Sequence, residues 1–181
     1  LLSTYNGQKY LGEQLESLYS QKGVDFHILV RDDGSKDATM SILEKFQKDK
    51  GKMTICAEGN VGAAISFNKL MTYAFDNFPD FDYYAFCDQD DYWMDNKLLV
   101  AVNQLSTMKG DLYYCNAIIT DADLNKEGIL GCEHNLSLQY LMFRQPALGC
   151  TQVMTNSYFR FCSEIFKRLM NEQPPYIYLH D

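Results

Sequence analysis

No apolar run in the 181 residues approaches the ~20 needed to cross a bilayer as a helix, and no signal peptide opens the chain. Basic residues are few and scattered. Sixteen Lys and Arg stand against 24 Asp and Glu, for a net charge of -8. A nucleic-acid backbone calls for clustered cations, so no nucleic acid is expected among the partners. The six cysteines, Cys56, Cys87, Cys115, Cys132, Cys150 and Cys162, contain no C-x-x-C pair and lie mostly in apolar company. They read as reduced core thiols of a cytosolic protein rather than a disulfide framework or a zinc site. No internal repeat, linker or low-complexity segment interrupts the chain. What remains, with 46% hydrophobic and 22% charged residues, is enough for one domain with a sizeable core. Leu1 falls inside what reads as a strand and Asp181 ends without a tail, so the sequence is expected to be part of a longer chain, cut at both ends.

Against this ordinary background, Phe86-Cys87-Asp88-Gln89-Asp90-Asp91-Tyr92-Trp93 places three carboxylates within four residues. They follow directly on Tyr83 to Cys87, an aromatic-rich run that reads as a buried strand. Carboxylates crowded at a strand end repel one another and lose solvation, so they persist best where a cation or a hydrogen-bonded ligand compensates them. Oxygen donors suit Mg2+ or Mn2+, whose sites use a carboxylate or two and leave the other positions to water and substrate phosphates. Taken alone, the stretch also fits a solvated acidic turn that caps the next helix.

Leu1-Leu2 ends a first strand, followed by the loop Ser3-Thr4-Tyr5-Asn6-Gly7. Tyr10, Leu11, Gln14, Leu15, Leu18 and Tyr19 then recur at helical spacing. Phe26 to Val30 is nearly continuously apolar, the pattern of a strand covered on both faces, and it ends in Arg31-Asp32-Asp33-Gly34-Ser35. Asp37 is placed to cap a helix reaching about Lys48, with Ile42, Leu43 and Phe46 inward. Met53 to Ala57 is a third strand, broken by Gly59-Asn60-Val61-Gly62. A helix over about 63–76 is expected to bury Ile65, Leu70, Met71, Ala74 and Phe75. Strands alternating with helices in this way imply a mostly parallel sheet with right-handed crossovers. Ligands of such sheets sit outside the carboxyl ends of the strands. The loops at 3–7, 31–35, 59–62 and 88–91 are therefore expected along one edge. The second half predicts a helix over 97–108, one longer strand over 112–119, a polar connection over 121–131 and a short helix over 136–143. A strand over 150–155 and a helix over 156–170 follow, ended by Pro174-Pro175.

Taken in register, these loops resemble the family 2 glycosyltransferases, inverting enzymes of the GT-A fold. The matching pieces are S-T-Y-N-G at 3 to 7, V-R-D-D-G-S-K-D-A-T at 30 to 39, N-V-G-A-A-I-S-F-N at 60 to 68 and F-C-D-Q-D-D-Y-W at 86 to 93. Lys97, G-C-T at 149 to 151 and His180-Asp181 complete them. Each piece is weak alone, and together they cover almost the whole chain. The F-C-D-Q-D-D-Y-W and G-C wording looks most like the rhamnosyltransferase-like bacterial branch that builds cell-surface polysaccharide. The resemblance implies a single α/β, Rossmann-like GT-A (nucleotide-diphospho-sugar transferase) domain over 1–181, with a mostly parallel central sheet flanked by helices. Residues 1–95 would form the nucleotide-sugar-binding half and 96–181 the acceptor-side half.

The same resemblance implies a metal-dependent inverting transfer from a UDP- or dTDP-sugar to a hydroxyl of a saccharide or lipid-linked saccharide. The place would be the cytoplasm or the inner face of the membrane. Ser3, Thr4, Tyr5 and Asp33 map onto the positions that hold the nucleoside, with Asp32 beside them. A carboxylate can accept the imide N–H of uracil or thymine, and Tyr5 can pack against the ring. Gly62 lets the chain pass close to the donor, or simply starts a helix. The D-x-D motif maps onto Asp88-Gln89-Asp90, with Asp91 following. Which carboxylate takes the metal and which the ribose stays open; the working assignment gives Asp88 to the nucleotide and Asp90 and Asp91 to Mn2+ or Mg2+. The metal stabilises charge on the departing diphosphate. Trp93 lines the sugar pocket or belongs to the core. Inversion needs a base to take the proton of the acceptor hydroxyl. In the family this is the carboxylate of a late E-D or H-D pair, here Asp181, with His180, Gly149 and Cys150 on the acceptor side. Such a transfer needs no covalent intermediate, so Cys150 is not expected to be a nucleophile. A nucleotidyltransferase shares the sheet and the acidic site, but its Gly-rich, basic phosphate loop is replaced here by Tyr5-Asn6. A non-catalytic nucleotide-sugar binding module is the other alternative, and it would tolerate loss of Asp181.

Overall fold

The computed structural model describes residues 1–131 and 149–172. Its sheet is built on β2 (Ile28–Asp32), whose unbroken apolar run has a physical reason. Ile28 and Val30 pack into one core with Leu2, Leu11, Leu15, Leu43 and Met53. Leu29 enters the opposite core with Leu70, Met71, Tyr84, Met154 and Phe159. A strand covered on both faces has no polar side to show. β1 (Leu2–Thr4) and β3 (Met53–Ala57) flank β2 in parallel.

The sheet continues beyond β1 through a parallel bridge from Leu2 to Cys87, where the Cys87 N–H donates to the Leu1 carbonyl at 2.9 Å. Cys87 lies just past β4 (Tyr83–Ala85), and β4 pairs antiparallel with β8 (Gln152–Thr155). β5 (Leu112–Tyr114) closes the far edge, antiparallel to β8. The order is therefore β3-β2-β1-β4-β8-β5 with β8 alone reversed, the mostly parallel sheet expected from the alternation of elements. Helices α1 (Leu11–Tyr19) and α2 (Thr39–Lys50) cover one face. The other is covered by α3 (Ala63–Asn77) and α5 (Asn156–Glu172). α4 (Lys97–Met108) packs Ala101 and Leu105 on Val153 of β8.

Several boundaries differ from expectation for identifiable reasons. The long strand over 112–119 is broken at Cys115-Asn116: β5 stays in the sheet, whereas β6 (Ala117–Thr120) leaves it and pairs with β7 (Lys126–Leu130). The segment expected as polar connection is thus half hairpin. The Asp121 carboxylate closes its turn by accepting from the N–H of Asp123 and Asn125 and from Asn125 Nδ2. Residues 149–151 form a 3-10 turn ahead of β8, not the start of a strand. Asp37 precedes α2 by more than a cap position, yet its Oδ1 accepts the Thr39 N–H at 3.0 Å and its Oδ2 the Gln8 N–H at 3.1 Å. Ile65 is 38% exposed because Ser66, one residue on, takes the inward position of the first α3 turn. The helix expected over 136–143, Cys132, the Pro174-Pro175 stop and the His180-Asp181 pair lie outside the described residues. The five described cysteines are unbridged, as expected. Among the described residues no helix is long and apolar enough to cross a membrane.

α5 is held to the sheet by Phe159, fully buried and stacked on Tyr84 with ring centres 3.8 Å apart. Phe159→Ala should cost about 3–5 kcal/mol in urea unfolding. Phe161→Ala, at a position 59% exposed on the same helix, should change stability by less than about 0.5 kcal/mol. Equal losses would show that α5 does not dock through this stack.

Candidate active site

The loops after β1, β2, β3 and β4 do meet along one edge, and a buried arginine joins those after β2 and β3 to each other and to β1. Side chains alternate along β2, so Arg31 points to the face that Leu29 enters, beneath α3, and is only 2% exposed. Its Nη1 donates to Asp33 Oδ1 and to Ser66 Oγ at 2.9 Å. Its Nη2 donates to the Gly59 carbonyl at 2.9 Å and to Glu58 Oε2 at 3.4 Å. Ser66 Oγ in turn hydrogen-bonds Ser3 Oγ in β1, which runs on through Ser3 and Thr4 rather than ending at Leu2 because both pair with β2.

The two carboxylates of the Asp32-Asp33 pair are spent inside the protein. Asp33 accepts the N–H of Val61 at 2.8 Å and of Gly62 at 2.9 Å as well as the Arg31 guanidinium. Burial alone would push its carboxyl up, but Arg31 and the two N–H groups outweigh that and hold it below the usual carboxylate range. Asp32 closes the Gly34-Ser35 turn, accepting from both N–H groups and from Ser35 Oγ, and it also accepts from Thr4 Oγ1 at 3.1 Å. Both side chains and Thr4 thus brace the loops that the resemblance assigned to the nucleoside. Gly62 has φ 84 and ψ 157, a conformation that favours glycine, and the space a Cβ would take there is open. Of the expected nucleoside residues, Tyr5 is the one whose ring faces outward, 46% exposed.

Tyr5 is tied to the acidic loop by the middle residue of D-x-D. Gln89 Oε1 accepts the Tyr5 N–H at 2.9 Å and Gln89 Nε2 donates to the Tyr5 carbonyl at 3.2 Å. Gly7 makes the room, because a Cβ there would lie 2.3 Å from Gln89 Oε1.

Gln89 and Asp90 form a tight turn, which brings Asp88 and Asp91 together across it. Ligand atoms of Asp88, Asp91 and Cys150 all lie within 4.8 Å of one another. Asp90 is exposed and lines, with Asp91, Tyr10, Glu13, Tyr92 and Asp121, a cleft of about 240 Å3. Of the three carboxylates in the loop, Asp88 and Asp91 are thus the two brought together, and Cys150 joins them from the 3-10 turn. Burial, with Asp91 beside it, pushes the Asp88 carboxyl up to about 6. Burial also raises Asp91. Cys150 is driven well above an ordinary thiol by burial and by both carboxylates, so it stays protonated and hydrogen-bonds them. The donor set fits a divalent cation that prefers oxygen: two carboxylates stand together, and water or phosphate can fill the rest. Trp93 belongs to the core, 5% exposed among Leu2, Leu15 and Leu18. Gly149 is exposed beside Phe86, and Asp181 and His180 lie outside the described residues.

Sequence reasoning missed Arg31, Ser66 and Gln89. A charged residue continuing a doubly covered strand was a signal for Arg31, whereas Gln89 occupies an x position and had only Gly7 to announce it.

A mostly parallel sheet whose carboxyl edge carries a nucleoside-type loop and an acidic pair is the GT-A glycosyltransferase fold. The model of the family described as glycosyl transferase family 2 matches residues 1–166, and the chain belongs to that family. A dTDP-rhamnosyl transferase of Shigella flexneri, RfbG, is 31% identical over 156 residues, 84% of this chain and 53% of that protein. A crystal structure of S. aureus TarS in complex with UDP superposes with a TM-score of 0.68 at 21% identity, covering 90% of this chain and 47% of that one. The mannosyltransferase PcManGT from Pyrobaculum calidifontis, in complex with GDP-Man and Mn2+, superposes with a TM-score of 0.61 at 18% identity over 93% of this chain and 45% of that one. The chain therefore spans about half the length of each of these three proteins.

Arg31→Met leaves Asp33 buried without its cation and should cost about 3–5 kcal/mol at pH 7. Asp33 has a depressed pKa in the folded state, so its contribution is present above the unfolded value near ~3.9 and is lost as pH falls through the folded one. The gap between wild type and Arg31→Met should accordingly narrow in urea melts at acid pH; a gap that persists undiminished contradicts the ion-pair account. Gly7→Ala and Gln89→Ala both break the clamp on Tyr5, so their effects on melting temperature should be strongly non-additive, whereas additive losses would mean that Gly7 does not act through Gln89.

Proposed function

We propose that the chain forms the donor-binding and catalytic part of a metal-dependent inverting glycosyltransferase, acting with a UDP- or dTDP-sugar on a saccharide or lipid-linked saccharide in cell-surface polysaccharide synthesis. The observation that carries this reading is the Asp88–Asp91 pair, set at the carboxyl edge of the sheet and clamped through Gln89 to the outward-facing Tyr5. The likeness to a dTDP-rhamnosyl transferase supports the donor class, and family membership supports the reaction.

On this reading Tyr5 packs against the nucleoside base, while Ser3, Thr4, Asp32 and Asp33 keep its loops in shape and Gly62 leaves the approach open. Asp88 and Asp91 would hold Mn2+ or Mg2+, which supplies positive charge against the leaving diphosphate. Asp90, exposed at the neighbouring cleft, is free to meet the ribose or the sugar. Gly149 and Cys150 border the acceptor side, and Asp181, oriented by His180, takes the proton of the attacking hydroxyl. The reaction would run in the cytoplasm or at the inner face of the membrane, where such acceptors are reached.

A thermal-shift titration with UDP and dTDP, each with Mn2+, Mg2+ or EDTA, tests the donor site. A ligand at 100 times its Kd adds about 2.7 kcal/mol of stability to the folded state. Wild type should be stabilised by nucleotide only with metal, Asp88→Asn should lose that gain, and Asp90→Asn should keep the metal dependence. Stabilisation that ignores EDTA, or survives in Asp88→Asn, removes the metal from the proposal; no shift with either nucleotide removes the donor site.

A further inference from the structure

The site leaves one charged group without a role. Lys97 is the first residue of α4, and a cation there faces the positive end of the helix dipole, which is unfavourable. Its position therefore needs another source of stabilisation. The Lys97 ammonium donates to the Cys150 carbonyl and lies 4.0 Å from the centre of the Trp93 ring. Trp93 is itself fixed, buried in the core with its backbone N–H on Ser17 Oγ at 3.0 Å. The lysine stem is thus laid across a rigid indole, and its charge arrives beside the turn whose thiol lies within 4.8 Å of Asp88 and Asp91. The acidic groups facing that charge are Asp88 and Asp91, with Asp90 further along the same loop. Its hydrogen bond goes to a carbonyl rather than to either carboxylate, so it offsets part of the pocket's negative charge without plugging it.

We propose that Lys97 is the resident counter-ion of the Asp88–Asp91 pair and the tether that fastens the Gly149–Thr151 turn to the acidic loop. It is a positioning residue: the pocket is assembled, with both carboxylates in place, before a divalent cation enters. The ammonium and the entering cation repel each other, so each weakens the other's hold on the pair, and this opposition is reciprocal. The cation half of the inference rests on the metal-binding reading above; the tether half does not.

The test compares wild type with Lys97→Met, which keeps the stem over the indole and removes the charge, and Lys97→Arg, which keeps the charge. In EDTA, hydrogen exchange of the peptide over 149–155 should become severalfold faster in Lys97→Met, with β2 unchanged and Lys97→Arg close to wild type. By calorimetric titration at pH 8, Mn2+ should bind Lys97→Met about fivefold to tenfold more tightly than wild type, a gain a merely structural lysine would not produce. Lys97→Gln provides a second neutral variant with the same expected outcomes should Lys97→Met not fold. Unchanged exchange at 149–155 overturns the tether, and equal or weaker Mn2+ binding overturns the counter-ion. If wild type itself binds no Mn2+, the metal reading fails and the counter-ion role with it, while the exchange experiment still decides the tether.

Discussion

A guanidinium taken out of water at the end of β2 is the constraint on which the site depends. Arg31 has to be met by strong acceptors, because a buried charge left alone costs several kcal/mol. The acceptors it finds come from different loops: Asp33 from its own turn, the Gly59 carbonyl from the loop after β3, and Ser66 from α3. Through Ser66 the network reaches Ser3. A single desolvated side chain thereby fixes the relative positions of segments that the sequence keeps far apart. The sheet brings the loops to one edge; Arg31 decides how they sit there.

The sheet and helices were largely legible because their signals are periodic. The doubly covered run of β2, the helical stripes of α1 and α4, and the limits of β3 follow from which faces must be apolar. The β6–β7 hairpin was not legible, since it leaves the sheet and has no second face to cover, so Lys126 to Leu130 carries little alternation. Ile65 misled for a related reason: its apolarity outranked Ser66 on any hydrophobic scale, yet the inward position was taken by the hydroxyl that Arg31 requires.

The candidate site was legible as a set of loops and not as a set of roles. Spacing by two in D-x-D suggests that Asp88 and Asp90 act together, but the turn at Gln89-Asp90 makes the residues three apart into neighbours. The Asp32-Asp33 pair misled in the opposite direction. Adjacent residues at a strand end point to opposite faces, so one carboxylate closes a turn while the other meets Arg31. Neither fact can be read from composition or spacing, because each depends on where the backbone reverses.

The two acidic motifs finally show why similar side chains serve different ends on one edge. Asp33 is offered a guanidinium and two backbone N–H groups, and its ionised form is well satisfied. Asp88 is withdrawn from water beside Asp91, with a thiol hydrogen bond as only partial relief, so burial first and like charge second raise its pKa to about 6. Had the acidic loop been given an arginine, it would have been more stable and less able to take a cation. Environments that push like groups apart in this way mark the division between a brace and a binding site. The fold places its strong donors beneath the loops after β2 and β3, where they fix the backbone. Around Asp88 and Asp91 the strong donors are absent among the described residues, and the two carboxylates share a partly buried pocket with a thiol.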